Sequence, residues 1–283
     1  MIMNNDNKKV AVVMSVYDGE KSEYLDLSLA SILNAQTYKS IDLYLSIDGP
    51  IRDQLKNIIT KYKPNKNLKI YENDKREGLS VNLNNILIDI VEEYEYIARM
   101  DTDDISFPTR IEKQVQFLEN NKDIHLLGTG FIEIGESGEK QKLVKNPRSH
   151  EEIKKYFGVR NPISHPTVMF RASFFDLARF YPVTYREWYP VALPVEDTLF
   201  WIKAIKSGAR FANLQEPLLY FRATTRLLQR RGGLKMSLLE YSIRKKSIRE
   251  FNLSKFYYLF SVLNLFARLL PVSFKKILWK IRQ

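Results

Sequence analysis

The segment IARMDTDDISFP puts three carboxylates, Asp101, Asp103 and Asp104, within four residues at the end of an apolar run. Like charges packed this closely need a positive partner. A hard divalent cation, Mg²⁺ or Mn²⁺, held jointly with diphosphate oxygens is the natural one, because such ions prefer oxygen ligands. In a turn, the alternate acids of a DxD spacing reach one side together. Capping of the helix that follows Pro108 would account for one acid but not for three. A second acidic pair, Glu196-Asp197, opens an amphipathic stretch with Leu199, Ile202 and Ile205 on one face. A helix dipole explains that pair by itself. Beside a metal–diphosphate site, the pair also offers a base for deprotonating an incoming hydroxyl.

Composition narrows the chemistry further. The 283 residues include no cysteine, which excludes disulfides, cysteine-ligated zinc, iron–sulfur clusters and thiol nucleophiles. Three histidines, His125, His150 and His165, are too few and too scattered for a His-rich metal site. No GxGxxG follows the first strand and no GxxxxGK[ST] occurs, so dinucleotide and P-loop readings fail. Gly128-Thr129-Gly130 supplies no fingerprint, because it continues into Phe131 and Ile132. Catalysis must rest largely on carboxylates. With 45% hydrophobic and 12% aromatic residues, the chain is globular rather than disordered.

The acids need a scaffold, and the hydrophobic pattern supplies it. VAVVMSV (10–16) is a continuous apolar run, as expected of a parallel strand covered on both faces. A helix capped by Ser22 and running to about Gln36 follows, then a strand over 41–48 closed by Gly49-Pro50. The pattern continues with a helix over 51–62, a strand over 68–71, a helix over 79–92 and a strand over 96–100. Pro108 then sits where a first helical turn tolerates proline, and the helix runs through Asn120. This alternation predicts βαβ units and a mainly parallel sheet, with ligands beyond the carboxyl ends of the strands. The polar residues there are Ser15-Val16-Tyr17-Asp18, Asp48-Gly49 and the acid triplet.

The positive charge is concentrated in the tail. Residues 221–283 hold fifteen Lys or Arg and two acids, so the tail carries +13 of a net +11 and residues 1–220 carry −2. An apolar patch from Phe256 to Leu270 precedes Lys275, Lys276, Trp279, Lys280 and Arg282. About fifteen helical residues are too short for a hydrocarbon core of roughly 30 Å, but they suit an interfacial helix on an anionic leaflet. A helical hairpin packed on the main domain is the other reading. No nucleic-acid recognition motif occurs, so nucleic acid is not an expected partner. The N-terminus MIMNNDNKKV lacks a signal peptide's apolar core and no run of eighteen apolar residues exists, which predicts a cytoplasmic protein without a spanning helix.

Taken together, VAVVMSVYDGE, SIDGP, EGLSVNLNNI, RMDTDDISFPTRIEKQ, NPISHPTVMFR and VEDTLFWIKAIKSG, in this order over about residues 10–222, resemble the family 2 glycosyltransferases. The resemblance is to the inverting bacterial branch that builds O-antigen, capsule and exopolysaccharide repeats. It implies an α/β GT-A nucleotide-diphospho-sugar transferase fold: a Rossmann-like, mainly parallel sheet flanked by helices, with a basic helical C-terminal extension. The domains would be 1–220, with a nucleotide-sugar half to about 105 and an acceptor half over 106–220, and then the tail at 221–283.

By the same resemblance, Ser15, Val16 and Tyr17 would line the nucleotide pocket and Asp48 would accept a hydrogen bond from uracil. Gly78 and Leu79 match a GLS turn against the nucleotide, and Arg76 would help with the diphosphate. Asp103 would hold Mn²⁺ or Mg²⁺, Asp101 would meet ribose or the metal, and Asp197 would be the base. Glu196, His165 and Arg222 would lie on the acceptor side, although a structural histidine beside a turn explains His165 equally well. Arg226, Arg230 and Arg231 would meet acceptor diphosphate or simply be solvated.

The implied reaction moves a hexose, galactose or glucose, from a UDP-sugar to a polyprenyl-diphosphate-linked saccharide at the inner leaflet. A nucleotidyltransferase or a non-catalytic nucleotide-sugar or membrane-binding module are the alternatives. Two departures leave the diphosphate-side ligands open. Arg76 stands where relatives carry Asn, and Tyr220-Phe221-Arg222 is not followed by their histidine.

Overall fold

Seven consecutive apolar or small residues leave β1 (Val10–Val16) no solvent-facing side, and it becomes a central strand. Val10, Val12, Met14 and Val16 point into one core and Ala11 and Val13 into the other. The computed structural model describes residues 8–182, 195–224 and 234–269, with side chains described through residue 265. After β1 come α1 (Ser22–Leu33), β2 (Ile41–Ile47), α2 (Asp53–Tyr62), β3 (Leu68–Glu72), α3 (Leu79–Ile90) and β4 (Tyr96–Arg99). β3, β2, β1 and β4 pair in parallel in that order.

The second half adds β5 (Ile105–Ser106), α4 (Arg110–Asn120), β6 (Leu126–Ile134), β7 (Lys140–Val144), α5 (His150–Tyr156), a 3-10 turn (His165–Thr167), β8 (Met169–Arg171), α6 (Phe174–Ala178), α7 (Glu196–Lys206) and β9 (Phe211–Arg222). β8 runs antiparallel between β4 and β6, and β6 pairs in parallel with β9. Among the described residues one nine-stranded sheet therefore crosses both halves. One core lies under α1, α2 and α4, the other under α3, α5, α6 and α7. The fold is the expected α/β arrangement of GT-A type.

Three local expectations shift. Ser22 does not cap α1; Lys21 occupies the cap position, and its N–H donates to Glu20 Oε1 at 2.8 Å. The helix stops at Leu33 because Gln36 is engaged elsewhere, its amide donating to the Ser31 and Phe107 carbonyls at 2.8 and 2.9 Å. Pro108 lies just outside α4, with its carbonyl accepting from Thr37 N at 2.9 Å.

The tail divides. Its first helix, α8 (Leu234–Glu250), sends Met236, Leu239 and Ile243 into the same core as α7, so it packs on the main domain. Its second, α9 (Phe256–Leu269), lies against α8 and leaves Phe256, Leu259 and Leu263 exposed along one face. No helix among the described residues is long and apolar enough to cross a membrane. Arg226, Arg230, Arg231 and the basic stretch after residue 269 lie outside the described residues.

Candidate active site

Parallel pairing of β2, β1 and β4 brings three polar strand ends side by side. Val16 is level with Ile47, and Met100 N donates to the Val13 carbonyl at 3.3 Å. At the β2 end Asp48 is buried, and its Oδ1 accepts from Glu77 N at 2.7 Å, Gly78 N at 3.0 Å and Asn82 Nδ2 at 2.8 Å. One oxygen thus ties the loop before α3 to the sheet. Its Oδ2 lies 3.7 Å from Arg76 Nε, and the Arg76 guanidinium sits 4.7 Å over the Tyr17 ring. Two glycines make this loop possible. Gly49 has φ +78, and a Cβ there would meet Arg76 N at 2.7 Å; Gly78, φ +92, starts α3, of which Leu79 is the first residue. Ser15 is half-buried, and its carbonyl accepts from Thr102 Oγ1 at 3.4 Å.

Across the β4 end, burial alternates: Asp101 and Asp103 are partly exposed, whereas Thr102 and Asp104 are buried. The alternate acids of the DxD spacing do share the open side. Carboxylate oxygens of Asp101, Asp103 and Asp104 lie within 4.8 Å of one another. Burial, then the charges of Asp101 and Glu20, push Asp103 up to about 8. Burial followed by Asp103 and Asp101 likewise raises Asp104. Such a cluster holds more negative charge than its surroundings compensate, and a hard divalent cation fits it. Asp101 and Asp103 would be the ligands, since Asp104 is turned inward with Oδ1 accepting Arg222 N at 2.9 Å.

Glu20 joins this cluster. It is buried, and its Oε2 accepts from Thr102 Oγ1 at 3.1 Å across 82 residues of sequence. Burial raises its pKa, against hydrogen bonds from Lys21 and Thr102. Arg222 is also buried. Its Nε donates to the Asp103 carbonyl at 3.0 Å, its Nη1 to the Gly135 and Glu136 carbonyls at 3.1 Å, and it stacks 4.0 Å over Tyr24. These contacts make Arg222 a clamp on the acid turn rather than a group presented to an acceptor.

On the other side, the first turn of α7 presents Asp197. Its Oδ1 accepts from Thr198 N at 2.6 Å and its Oδ2 from Asn161 Nδ2 at 2.9 Å. The buried Tyr181 hydroxyl relates the two acid groups: its charged neighbours include Arg99, Asp197, Asp101 and Glu196. Burial is the main cause of its raised pKa. His165 lies beneath, buried, with Nε2 2.7 Å from the Tyr181 hydroxyl and its ring against Trp201. Burial, then the Arg99 charge, holds His165 well below its ordinary value, so the ring is neutral. Of the two readings of His165, the placement favours the structural one.

The structure therefore gathers Ser15, Val16, Tyr17, Asp48, Arg76, Gly78, Leu79, Asp101 and Asp103 along the strand ends, and places Glu196 and Asp197 in the first turn of α7. It adds Glu20, Asn82, Arg99, Asn161 and Tyr181, which sequence reasoning did not single out. Glu20, Asn82, Asn161 and Tyr181 act on partners 16 or more residues away, whereas Arg99 holds Asp101 two residues on.

A mainly parallel α/β sheet with a DxD turn at one strand end and an acidic pair opening a later helix is the pattern of a GT-A nucleotide-sugar transferase. The chain belongs to glycosyl transferase family 2, whose profile matches residues 11–180. It is 33% identical to the amylovoran biosynthesis glycosyltransferase AmsE of Erwinia amylovora, over 79% of each chain. It is 33% identical to the O-antigen biosynthesis glycosyltransferase WbnJ of Escherichia coli, over 86% of this chain and 88% of that one. A UDP-Gal:alpha-D-GlcNAc-diphosphoundecaprenol beta-1,3-galactosyltransferase of Escherichia coli is 26% identical over 98% of both. Among solved structures, S. aureus TarS 1–349 in complex with UDP-GlcNAc shares the fold, with a TM-score of 0.62 and 19% identity over 91% of this chain and 70% of that one. Family membership sets aside the nucleotidyltransferase reading.

Proposed function

We propose that this protein transfers a hexose, galactose or glucose, from a UDP-sugar to a polyprenyl-diphosphate-linked saccharide, with inversion, in bacterial surface polysaccharide synthesis. What supports this is the acid turn, where carboxylate oxygens of Asp101, Asp103 and Asp104 converge within 4.8 Å, together with an Asp197 carboxylate held by Asn161 and Thr198. An inverting single displacement needs these two functions close together: anchorage of the donor diphosphate and a base for the acceptor. The relatives that act in amylovoran and O-antigen synthesis, and on a diphosphoundecaprenol-linked acceptor, support the substrate classes.

Tyr17, Asp48, Arg76 and the Gly78 turn bind and orient the nucleotide. Asp101 and Asp103 would hold Mn²⁺ or Mg²⁺, which when bound would supply Lewis-acid stabilisation of the charge that develops on the leaving UDP. Asp197, oriented by Asn161 and Thr198, takes the proton from the acceptor hydroxyl as that oxygen attacks the anomeric carbon and the bond to UDP breaks. No covalent nucleophile is required. Glu196, adjacent to the base, faces the acceptor.

The apolar face of α9 and the basic tail hold the enzyme on the inner leaflet, where a polyprenyl acceptor resides, as a cytoplasmic peripheral protein. Hydrolysis of a panel of UDP- and GDP-sugars with Mn²⁺, followed by transfer to a GlcNAc-diphospho-lipid, tests the reading. Indifference to the nucleotide, or turnover of no sugar nucleotide at all, would overturn it.

A further inference from the structure

Beneath the acid turn lies a charged group that the reaction scheme leaves unused. Arg99, the last residue of β4, is 2% exposed. Its Nη2 donates to Asp101 Oδ1, while Nε and Nη1 have no hydrogen-bond partner among the described residues. Close by, Arg110 is also fully buried. Its Nη2 donates to the Arg99 carbonyl at 2.7 Å and its Nε to Gln114 Oε1 at 3.0 Å, but its Nη1 has no partner among the described residues. Asp104 Oδ2 is the matching unpartnered acceptor, and Arg99, Arg110 and Asp104 feel one another's charge.

A buried guanidinium with two idle nitrogens is a poor way to stabilise a strand end. An apolar residue of similar volume would serve packing equally well or better, as its neighbours Ala98 and Met100 do. Where a sequence breaks a packing rule at a strand end that faces ligand, the reason is sought in function. Arginine also suits the place. It is always charged and more weakly hydrated than a lysine ammonium, so its charge survives burial beside a carboxylate.

We propose that Arg99 is the positioning residue of the acid turn. Its guanidinium locks Asp101 through Oδ1, so that the second carboxylate oxygen is held in one orientation for the divalent cation and donor. It also places a permanent positive charge beneath four clustered acids, Glu20, Asp101, Asp103 and Asp104. Arg110 backs it from below through the Arg99 carbonyl. The inference rests on the metal–nucleotide reading of this site, and it assigns a role to a residue that touches neither ligand.

The test measures Mn²⁺ affinity in the presence of UDP, by electron paramagnetic resonance of the free ion, on the full chain. The variants are Arg99→Met, Arg99→Lys, Asp101→Asn and the double variant Arg99→Met/Asp101→Asn. Arg99→Met is expected to weaken Mn²⁺ at least tenfold, and Arg99→Lys to recover part of that loss. The double variant should be no weaker than Asp101→Asn alone, because both changes remove one device. If Arg99→Met does not fold, Arg99→Lys against Asp101→Asn carries the comparison, with a loss in Mn²⁺ affinity at unchanged melting temperature expected for Arg99→Lys. Wild-type affinity in both Arg99 variants, or losses that multiply in the double variant, would overturn the role of Arg99 while leaving the reaction class intact. Absence of Mn²⁺ and UDP binding in the unmutated protein would overturn both.

Discussion

The Asn161 side chain donates to Asp197 Oδ2 at 2.9 Å, which ties the loop after α5 to the first turn of α7. Thr198 N holds the other oxygen at 2.6 Å, so the carboxylate has a single orientation. Asp197→Asn should keep UDP affinity within about twofold and reduce transfer by about 10²–10⁴-fold, the usual weight of a general base. Asn161→Ala should lower the rate more mildly through loss of orientation. Initial rates set against UDP dissociation constants check both, and retained turnover in Asp197→Asn would remove the residue from the role of base.

Removal of the metal should be felt through the acid turn. A chelator is expected to abolish transfer, with recovery on adding Mn²⁺ or Mg²⁺. Asp103→Asn should require a metal concentration raised at least tenfold, as loss of one carboxylate ligand predicts. Titration of activity against Mn²⁺ reads this directly, and chelator-insensitive transfer would contradict it.

Arg76 is an exposed cation that reaches toward both Tyr17 and Asp48. Arg76→Ala should raise the KM for the sugar nucleotide about five- to tenfold through lost charge and stacking, with kcat changed much less. Steady-state kinetics separates the two. A loss confined to kcat would place Arg76 elsewhere in the scheme.

Buried, neutral His165 gives stability a defined pH dependence. Its folded pKa lies well below the ordinary 6.5, because of burial first and Arg99 second. Below about pH 6.5 the unfolded chain binds a proton that the folded chain refuses. The contribution is therefore complete above that pH and declines as the pH falls, by up to about 1.4 kcal/mol per unit. His165→Gln should flatten the melting temperature against pH between about 6.5 and 5. An unaltered slope would show that the ring titrates normally.

Phe256, Leu259 and Leu263 are 69%, 55% and 59% exposed on one face of α9. Replacing all three by Ser should reduce flotation with anionic liposomes about tenfold or more, each side chain giving up roughly 1.5–3 kcal/mol of apolar burial in the interface at most. The melting temperature should change little, since the residues are exposed in the fold. Undiminished flotation would remove α9 as the membrane face.

Much of the scaffold was legible in the sequence because its causes are local. The apolar run of β1, the spacing of Leu83, Ile86, Leu87 and Ile90 in α3, and the acids at the end of β4 follow from periodicity and turn chemistry. The end of α1 was not legible, because Gln36 leaves the helix to bond Phe107, far along the chain. The tail was half legible. Composition gave its charge and apolar patch, but only packing against α7 separates α8, which joins the core, from α9, which keeps an open face.

From its sequence alone, this protein has its succession of strands and helices in the first half, its DxD turn and its second acidic pair, since these are set by residues close together along the chain. Tertiary structure decided the rest. It brought Glu20 to Thr102, Tyr181 to His165 and Arg222 onto the Asp103 carbonyl, and it turned Asp104 inward while leaving Asp101 and Asp103 at the opening. Such contacts depend on which elements the sheet sets side by side, and nothing in a short window of residues encodes which distant side chain will meet the acid turn.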